Sequence, residues 1–101
     1  MVIEWLKFKV DPERREEFIQ KDAQIWTPLI ANSAGFISKE VWIDPHDASQ
    51  VVVVIRWESR EQWYSFPKDL LDKTEAEFAL AMGNSYQMIE SGEYQVRKFP
   101  H

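Results

Sequence analysis

Asp22 is a charged residue at a position where the pattern calls for an apolar one. On a helical wheel it falls in the middle of an apolar stripe made by Phe18, Ile25, Trp26 and Leu29. A carboxylate in such a stripe is costly unless it is paired or faces a cavity. One interpretation is a base or substrate anchor in a cleft between this helix and a sheet, with a pKa raised by burial. The alternative is a structural ion pair with Arg15 or with a lysine on a strand.

Aromatic side chains are the second feature that could serve a site. The 101 residues include five tryptophans, six phenylalanines and three tyrosines, which is many for this length. Such rings fill cores, dimer interfaces or pockets for flat ligands. We predict that Trp26 and Trp63 line a pocket, because each lies on a helix facing the same sheet surface. The predicted pocket also includes Trp5 and Phe66, and the other two tryptophans are interpreted as packing residues.

Thr74 is a further candidate for the pocket. It lies within the apolar stripe of a later helix, between Leu70 and Phe78. Its hydroxyl could bond a ligand, or it could bond the backbone carbonyl one helical turn earlier. The second interpretation is the more common one for a threonine inside a helix.

Several other chemistries lack the residues they need. His46 lies between acids, but the only other histidine is His101, so no metal site is predicted. The absence of cysteine excludes disulfides, thiolate ligands and a cysteine nucleophile. The sequence contains no phosphate-binding glycine loop and no G-x-S-x-G elbow. We therefore expect no metal and no cofactor.

Charge and hydropathy limit the partners. The formal net charge of −5 argues against nucleic acid, which needs a clustered basic face. No apolar run approaches the length of a membrane span. A chain without cysteine suits a reducing compartment, so we expect a cytoplasmic protein with no membrane partner.

The elements that must position these residues follow from the pattern of apolar residues. Strands are predicted at 2–10, 36–43, 51–58 and 93–99, and 84–92 is predicted to be irregular. Helices are predicted at 12–31, from Ser59 to Ser65, and after Pro67 as far as Met82. The order is β-α-β-β-α-β in one domain, 1–101. Right-handed crossovers then predict an α+β, ferredoxin-like fold, with helices on one face of an antiparallel sheet and strands one and three central.

The third strand raises a question about its second face. Residues 51–55 are five β-branched residues in a row, so both faces of this strand look buried. Helices cover only one face, and a second copy of the chain is the economical cover for the other. We expect a homodimer through the sheet face. Arg56 is predicted to pair with Glu58, Glu4 or Glu40 there and to help fix the register of the dimer.

Two short motifs carry a resemblance to a known superfamily. Ala34-Gly35-Phe36 precedes strand two, and Arg56-Trp57-Glu58-Ser59-x-Glu61-x-Trp63 leaves strand three. Together they resemble the dimeric α/β-barrel superfamily, in particular its antibiotic-biosynthesis-monooxygenase-like branch. Over residues 2–99 the chain also resembles a small family without an assigned function, known mainly from cyanobacteria.

The resemblance implies two kinds of chemistry. The branch contains cofactor-free oxygenases of polycyclic phenols and also haem-degrading enzymes. For haem degradation only Trp63 matches, since strand one has no asparagine and Lys73 stands near the histidine position. The expected function is therefore a cofactor-independent, monooxygenase-like enzyme for an aromatic or quinone-like molecule, with Asp22 removing a phenolic proton. The alternatives are a non-catalytic small-molecule-binding or stress-related dimeric module, and a dimer whose aromatic residues only pack.

Overall fold

The computed structural model describes residues 1–98 and contains one four-stranded sheet. All neighbouring strands are antiparallel, and their order is β2-β3-β1-β4. The strands are β1 (Val2–Val10), β2 (Phe36–Asp44), β3 (Asp47–Trp57) and β4 (Tyr86–Gln95). The predicted α+β ferredoxin-like order is confirmed, with strands one and three in the centre and the helices packed on one face.

The helical segments are shorter than the sequence pattern suggests. They are a 3-10 turn (Pro12–Arg14) followed by α1 (Arg15–Ile25), α2 (Thr27–Ala31), α3 (Arg60–Tyr64) and α4 (Lys68–Met82). The continuous helix predicted over 12–31 is wrong, because it breaks at Trp26. Pro28 explains the break, since it has no N–H and its ring clashes with the carbonyl four residues earlier.

The hairpin between β2 and β3 has a tighter turn than predicted. Only Pro45 and His46 lie outside the strands, although the sequence from 44 to 50 resembles one long turn. The Asp44 carboxylate accepts the His46 N–H at 2.7 Å. The polar start of β3 remains extended because its other edge pairs with β1, where Lys9 lies opposite Gln50.

The last strand lies earlier in the chain than predicted. β4 covers Tyr86–Gln95, so the prediction of an irregular 84–92 and a strand at 93–99 is wrong; residues 99–101 lie outside the described part. Most of this strand is exposed, and it forms the outer edge of the sheet beside β1. An edge strand needs backbone pairing rather than an apolar pattern, and hydropathy therefore does not reveal it.

The two faces of β3 differ less in burial than expected. On the helix-covered face, residues 51, 53, 55 and 57 are at most 3% exposed. On the open face, Val54 is only 2% exposed, between its cross-strand neighbours Trp5 and Glu40, whereas Val52 is half-buried. The expectation that this face has no cover within the chain is therefore only partly right. Arg56 pairs there with Glu40 at 2.7 Å, one of its predicted partners.

A glycine holds α3 against the start of β2. Gly35 has a φ of +84°, and a Cβ at this position would lie 2.6 Å from atoms of Gln62. Ser59 caps α3 by accepting the Gln62 N–H at 3.2 Å, as its sequence predicts. These contacts fix the helix that carries Trp63.

Candidate functional site

A cavity of about 580 Å³ lies between the helices and the covered face of the sheet. This volume falls within the range of about 300–1,000 Å³ that is usual for small-molecule sites. Aromatic rings form much of its wall: Phe8, Phe18, Trp26, Trp57, Trp63 and Phe66. The cavity is therefore large enough, and aromatic enough, for a flat ligand of two or three rings.

Three of the five predicted pocket residues line this cavity. Trp26 reaches it from the break between α1 and α2, Trp63 from α3, and Phe66 from the link between α3 and α4. All three also pack, partly buried, against the cluster formed by Val2, Ile30, Val53, Ile55 and Trp57. Since each is only partly buried, its ring can both pack and remain accessible to a ligand.

Trp5 and Thr74 do not line the cavity, and these two assignments are corrected. Trp5 lies opposite Val54 in the β1–β3 pairing, on the open face of the sheet, because alternate residues of a strand point to opposite faces. Thr74 is 1% exposed, and its hydroxyl donates to the Leu70 carbonyl at 2.6 Å. The bond to the preceding turn, the alternative considered for Thr74, is the one observed.

Asp22 lines the cavity and forms an ion pair with a strand lysine. The distance from Asp22 Oδ2 to Lys39 Nζ is 2.7 Å, and the Lys39 side chain is only 5% exposed. Lys39 also donates to the Thr27 hydroxyl at 2.8 Å. Among residues 1–98, Asp22 Oδ2 has no hydrogen bond of suitable angle, so this contact is electrostatic. Asp22 therefore lines the cavity, as the functional interpretation expects, and also forms the ion pair that was the structural alternative.

Glu4 is another carboxylate that lines the cavity, and the sequence analysis did not select it as a site residue. It lies on the covered face of β1, and its Oε1 accepts the Trp57 indole N–H at 3.1 Å. Burial raises the pKa of the Glu4 carboxyl above its usual value, although the bond from Trp57 and the charge of Lys39 oppose part of that rise. One pattern in the sequence could have revealed Glu4: it shares a strand face with the apolar residues Val2, Leu6 and Phe8.

The register of the sheet places the charged groups at one level. Lys39 lies opposite Ile55, and Ile55 lies opposite Glu4, so these residues form a row across three strands on the covered face. Strands are spaced about 4.8 Å apart, which puts the outer two Cα atoms about 10 Å apart. A ligand at this level can meet the buried ammonium of Lys39 on one side and the half-buried carboxylate of Glu4 on the other.

Two tyrosines that line the cavity, Tyr64 and Tyr86, form polar contacts with neighbouring side chains. The Tyr64 hydroxyl donates to Glu93 at 2.7 Å, and Arg60 forms an ion pair with the same carboxylate at 2.7 Å. Nearby, the Tyr86 hydroxyl donates to Glu75 at 3.2 Å. Burial, together with Glu75, raises the pKa of Tyr86 to about 12. Tyr86 therefore stays protonated at neutral pH and can donate a hydrogen bond, but it cannot act as a base there.

Metal and membrane sites find no support in the described residues. Within 1–98, no three His, Cys, Asp or Glu side chains are grouped as metal ligands, and His46 is an exposed residue of the hairpin turn. Over the same range, every helix is too short or too polar to cross a bilayer.

Solved structures with similar folds include oxygenases. A Bordetella bronchiseptica protein named after the antibiotic biosynthesis monooxygenases matches with a TM-score of 0.74 and 18% identity, over 94% of this chain and 95% of the other. SnoaB, a cofactor-independent oxygenase from Streptomyces nogalater, matches with a TM-score of 0.68 and 17% identity, over 97% and 94%. A conserved protein from Methanosarcina mazei matches with a TM-score of 0.69 and 14% identity, over 93% and 90%. At these identities the likeness establishes the fold alone.

A comparison with curated proteins finds no match. The family is shown instead by a match between this sequence and a family profile. The profile of the family described as antibiotic biosynthesis monooxygenase matches residues 1–68, which include β1, β2, β3 and α3 with Glu4, Asp22, Lys39 and Trp63. The chain belongs to the antibiotic biosynthesis monooxygenase family.

Proposed function

We propose that this protein is a cofactor-independent oxygenase of a planar, hydroxylated aromatic or quinone-like molecule bound in the cavity. The observation that carries the proposal is a half-buried carboxylate of raised pKa, Glu4, set among aromatic walls at the level of a buried cation, Lys39. Family membership and the fold shared with SnoaB support the same reaction class.

Each charged group takes a distinct part in the proposed reaction. A carboxylate with a raised pKa is a stronger base than an ordinary one, and Glu4 would remove the phenolic proton. Lys39 would stabilise the resulting phenolate, because a fixed ammonium acts strongly on a charge that develops out of water. Asp22, the candidate base from the sequence, remains part of the site by holding Lys39 at 2.7 Å.

The oxygen chemistry balances without a further reductant. The phenolate passes one electron to O₂, and the two radicals join at a ring carbon bearing hydrogen to give a peroxide. The peroxide takes the proton from Glu4. Loss of the ring hydrogen as a proton and of hydroxide then gives water and a quinone. The ring loses four electrons and O₂ gains four, so one oxygen atom enters the product and the other leaves as water.

Oxygen uptake and binding test this function together. We would measure oxygen consumption with 1-naphthol, 2-naphthol and larger fused phenols, and follow binding by quenching of tryptophan fluorescence. Glu4→Gln is expected to lower kcat/KM by about 10²–10⁴-fold while the ligand still binds. 2,4-Dimethyl-1-naphthol is the matched control substrate, because methyl groups on both the ortho and the para carbon leave no ring hydrogen to lose there, so that no quinone and no water can form.

The variants also separate the competing interpretations. Equal losses of kcat/KM in Glu4→Gln and Asp22→Asn would contradict the assignment of Glu4 as the base. A larger loss in Asp22→Asn would assign that role to Asp22 instead. Tight binding without oxygen uptake would favour the non-catalytic binding module. If no phenol binds, both the oxygenase and the non-catalytic binding module are excluded.

We also propose that the working unit is a homodimer in the cytoplasm, formed through the open face of the sheet. Trp42 is 46% exposed on that face, beside half-buried Val52 and the pair of Arg56 with Glu40. Native mass spectrometry should give twice 12.0 kDa. Arg56→Glu places two like charges beside each other and should weaken the dimer, whereas an unchanged dimer would exclude a role for this pair.

A further inference from the structure

Trp57 makes a polar contact that its packing does not require. It ends β3, is 1% exposed, and packs edge-to-face on Phe36 with ring centroids 6.3 Å apart. Its indole Nε1 donates to Glu4 Oε1 at 3.1 Å. An indole N–H is a donor only, so the direction of this bond is fixed whatever the protonation state of its partner.

The sheet register places this donor beside Glu4. Trp57 lies opposite Val2, and Glu4 lies opposite Ile55, so the two side chains are diagonal neighbours on the covered face. Such neighbours are about 7–8 Å apart at the Cα atoms, within reach of long side chains. Because the indole is buried and packed, it holds one oxygen of the carboxylate in a fixed place. Glu4 lines the cavity, and no group among residues 1–98 holds its other oxygen by a hydrogen bond.

The charged groups deepest around Glu4 are already paired with one another. Lys39 from β2 pairs with Asp22 from α1 at 2.7 Å. Glu93, opposite Glu4 on β4, pairs with Arg60 from α3 at 2.7 Å. Among residues 1–98, the Trp57 indole is therefore the group that donates a hydrogen bond directly to Glu4. Lys39 acts on Glu4 through its charge.

The other ionisable side chains that line the cavity are also partnered. Lys68 and Asp72, both on α4, pair at 2.7 Å across one turn of the helix. Tyr86 of β4 donates to Glu75 of α4, and Tyr64 of α3 donates to Glu93 of β4. A change in the titration of Glu4 on altering Trp57 would thus report their direct contact.

We propose that Trp57 is a positioning residue for the base: its indole N–H holds Glu4 Oε1, keeps the carboxylate available in a buried site, and presents Glu4 Oε2 to the hydroxyl of the substrate. The proposal rests on the proposed function, in which Glu4 takes the phenolic proton. A donor to the ionised form stabilises that form, and burial favours the neutral one. Trp57 thereby offsets part of the effect of burial on Glu4.

The pH dependence of turnover tests this role. Trp57→Phe keeps an aromatic ring and removes the N–H. With the phenol that the wild type oxidises, the acid limb of kcat/KM against pH should move to higher pH. At a pH on that limb kcat should fall at least tenfold, with KM changed less than threefold. A uniformly lower rate with an unmoved limb would overturn the proposal, because that is the signature of a merely structural role.

Trp63→Phe is the matched control. It makes the same chemical change at another tryptophan of the cavity wall, one that does not bond Glu4. Its KM should change while the acid limb stays in place. A shift of the limb equal to that of Trp57→Phe would show a general effect of the wall and contradict the assignment to Trp57.

A measurement without turnover keeps the two proposals separable. In the ¹H–¹⁵N spectrum of the wild type, one indole resonance should titrate at a pH above that of an ordinary glutamate. The same titration should be absent in Glu4→Gln, which retains Trp57. If no indole resonance titrates, the coupling is refuted even if phenols are oxidised. If it titrates and no phenol is oxidised, the proposed function fails while the contact stands.

Discussion

The layer between helices and sheet is filled in two different ways along its length. Near the Val10 end, Phe18 packs against Phe8, Phe78 and Tyr86 with ring centroids 5.1 to 5.7 Å apart. Toward the Val2 end, the layer opens into the cavity, which these four rings also line on one side and where Glu4, Asp22 and Lys39 lie. Close packing is what stability favours in a core. The open, charged part of the layer departs from this rule, and the departure supports the ligand binding that we propose.

Phe18→Ala should have the largest effect, and it tests the packed end. Phe18 is buried at the centre of the aromatic cluster, and such truncations cost about 3–5 kcal/mol of the free energy of unfolding. Denaturant unfolding followed by circular dichroism would measure the loss. Trp63→Ala, at the cavity end, should cost much less, because its ring is only partly buried. Equal losses would erase the distinction between the ends.

Lys39→Met should be nearly as destabilising, for an electrostatic reason. It leaves the Asp22 carboxylate buried without its cation, and breaking a buried pair in this way costs about 3 kcal/mol or more. The double variant Asp22→Leu with Lys39→Met should recover most of that stability, since no charge is then stranded. A double variant as unstable as the single one would show that the two residues matter for packing rather than for their pairing.

Glu4→Gln should stabilise the protein at neutral pH by on the order of 1 kcal/mol, the usual scale when a group kept for function is removed. The folded-state pKa of Glu4 is raised, so its ionisation costs stability as the pH rises through that pKa. Thermal unfolding at several pH values would measure the difference. The gain should disappear below the ordinary glutamate value of 4.5, where both side chains are neutral. A loss of stability at neutral pH would contradict this account.

Thr74→Val should have the smallest effect. The change removes one hydrogen bond to the preceding turn and preserves shape, so the free energy of unfolding should fall by about 1 kcal/mol or less. Ligand binding should not change, because Thr74 does not line the cavity. A weakened affinity would restore the interpretation in which its hydroxyl meets the ligand.

Strong local signals made most of the fold predictable. β1 was predicted with its observed bounds, and the cap at Ser59 correctly placed the start of α3. The break at Trp26 was missed because the apolar stripe continues across Pro28, and tertiary packing allows two short helices to share one stripe. β4 was missed because it depends on pairing with β1, and hydropathy does not record pairing.

The site was predictable where a single residue broke a helical pattern and not where partners met in space. Asp22 stood out in its stripe, and a strand lysine was one of its predicted partners. Glu4 is the one polar residue on its face of β1, but a break in a strand face of five residues is a weaker signal than a break in a long helical stripe. Trp57 was interpreted as packing, and only the three-dimensional register reveals its bond to Glu4.

The position of β1 in the sheet also has a consequence for how the chain is made. β1 is central, and one of its edges is covered only when β4 pairs with it, residue 2 lying opposite residue 95. During translation that edge must stay open until residues 86–95 have left the ribosome. Until then the nascent chain exposes one unpaired edge of a central strand, and such an edge is a template for wrong pairing with a neighbouring chain.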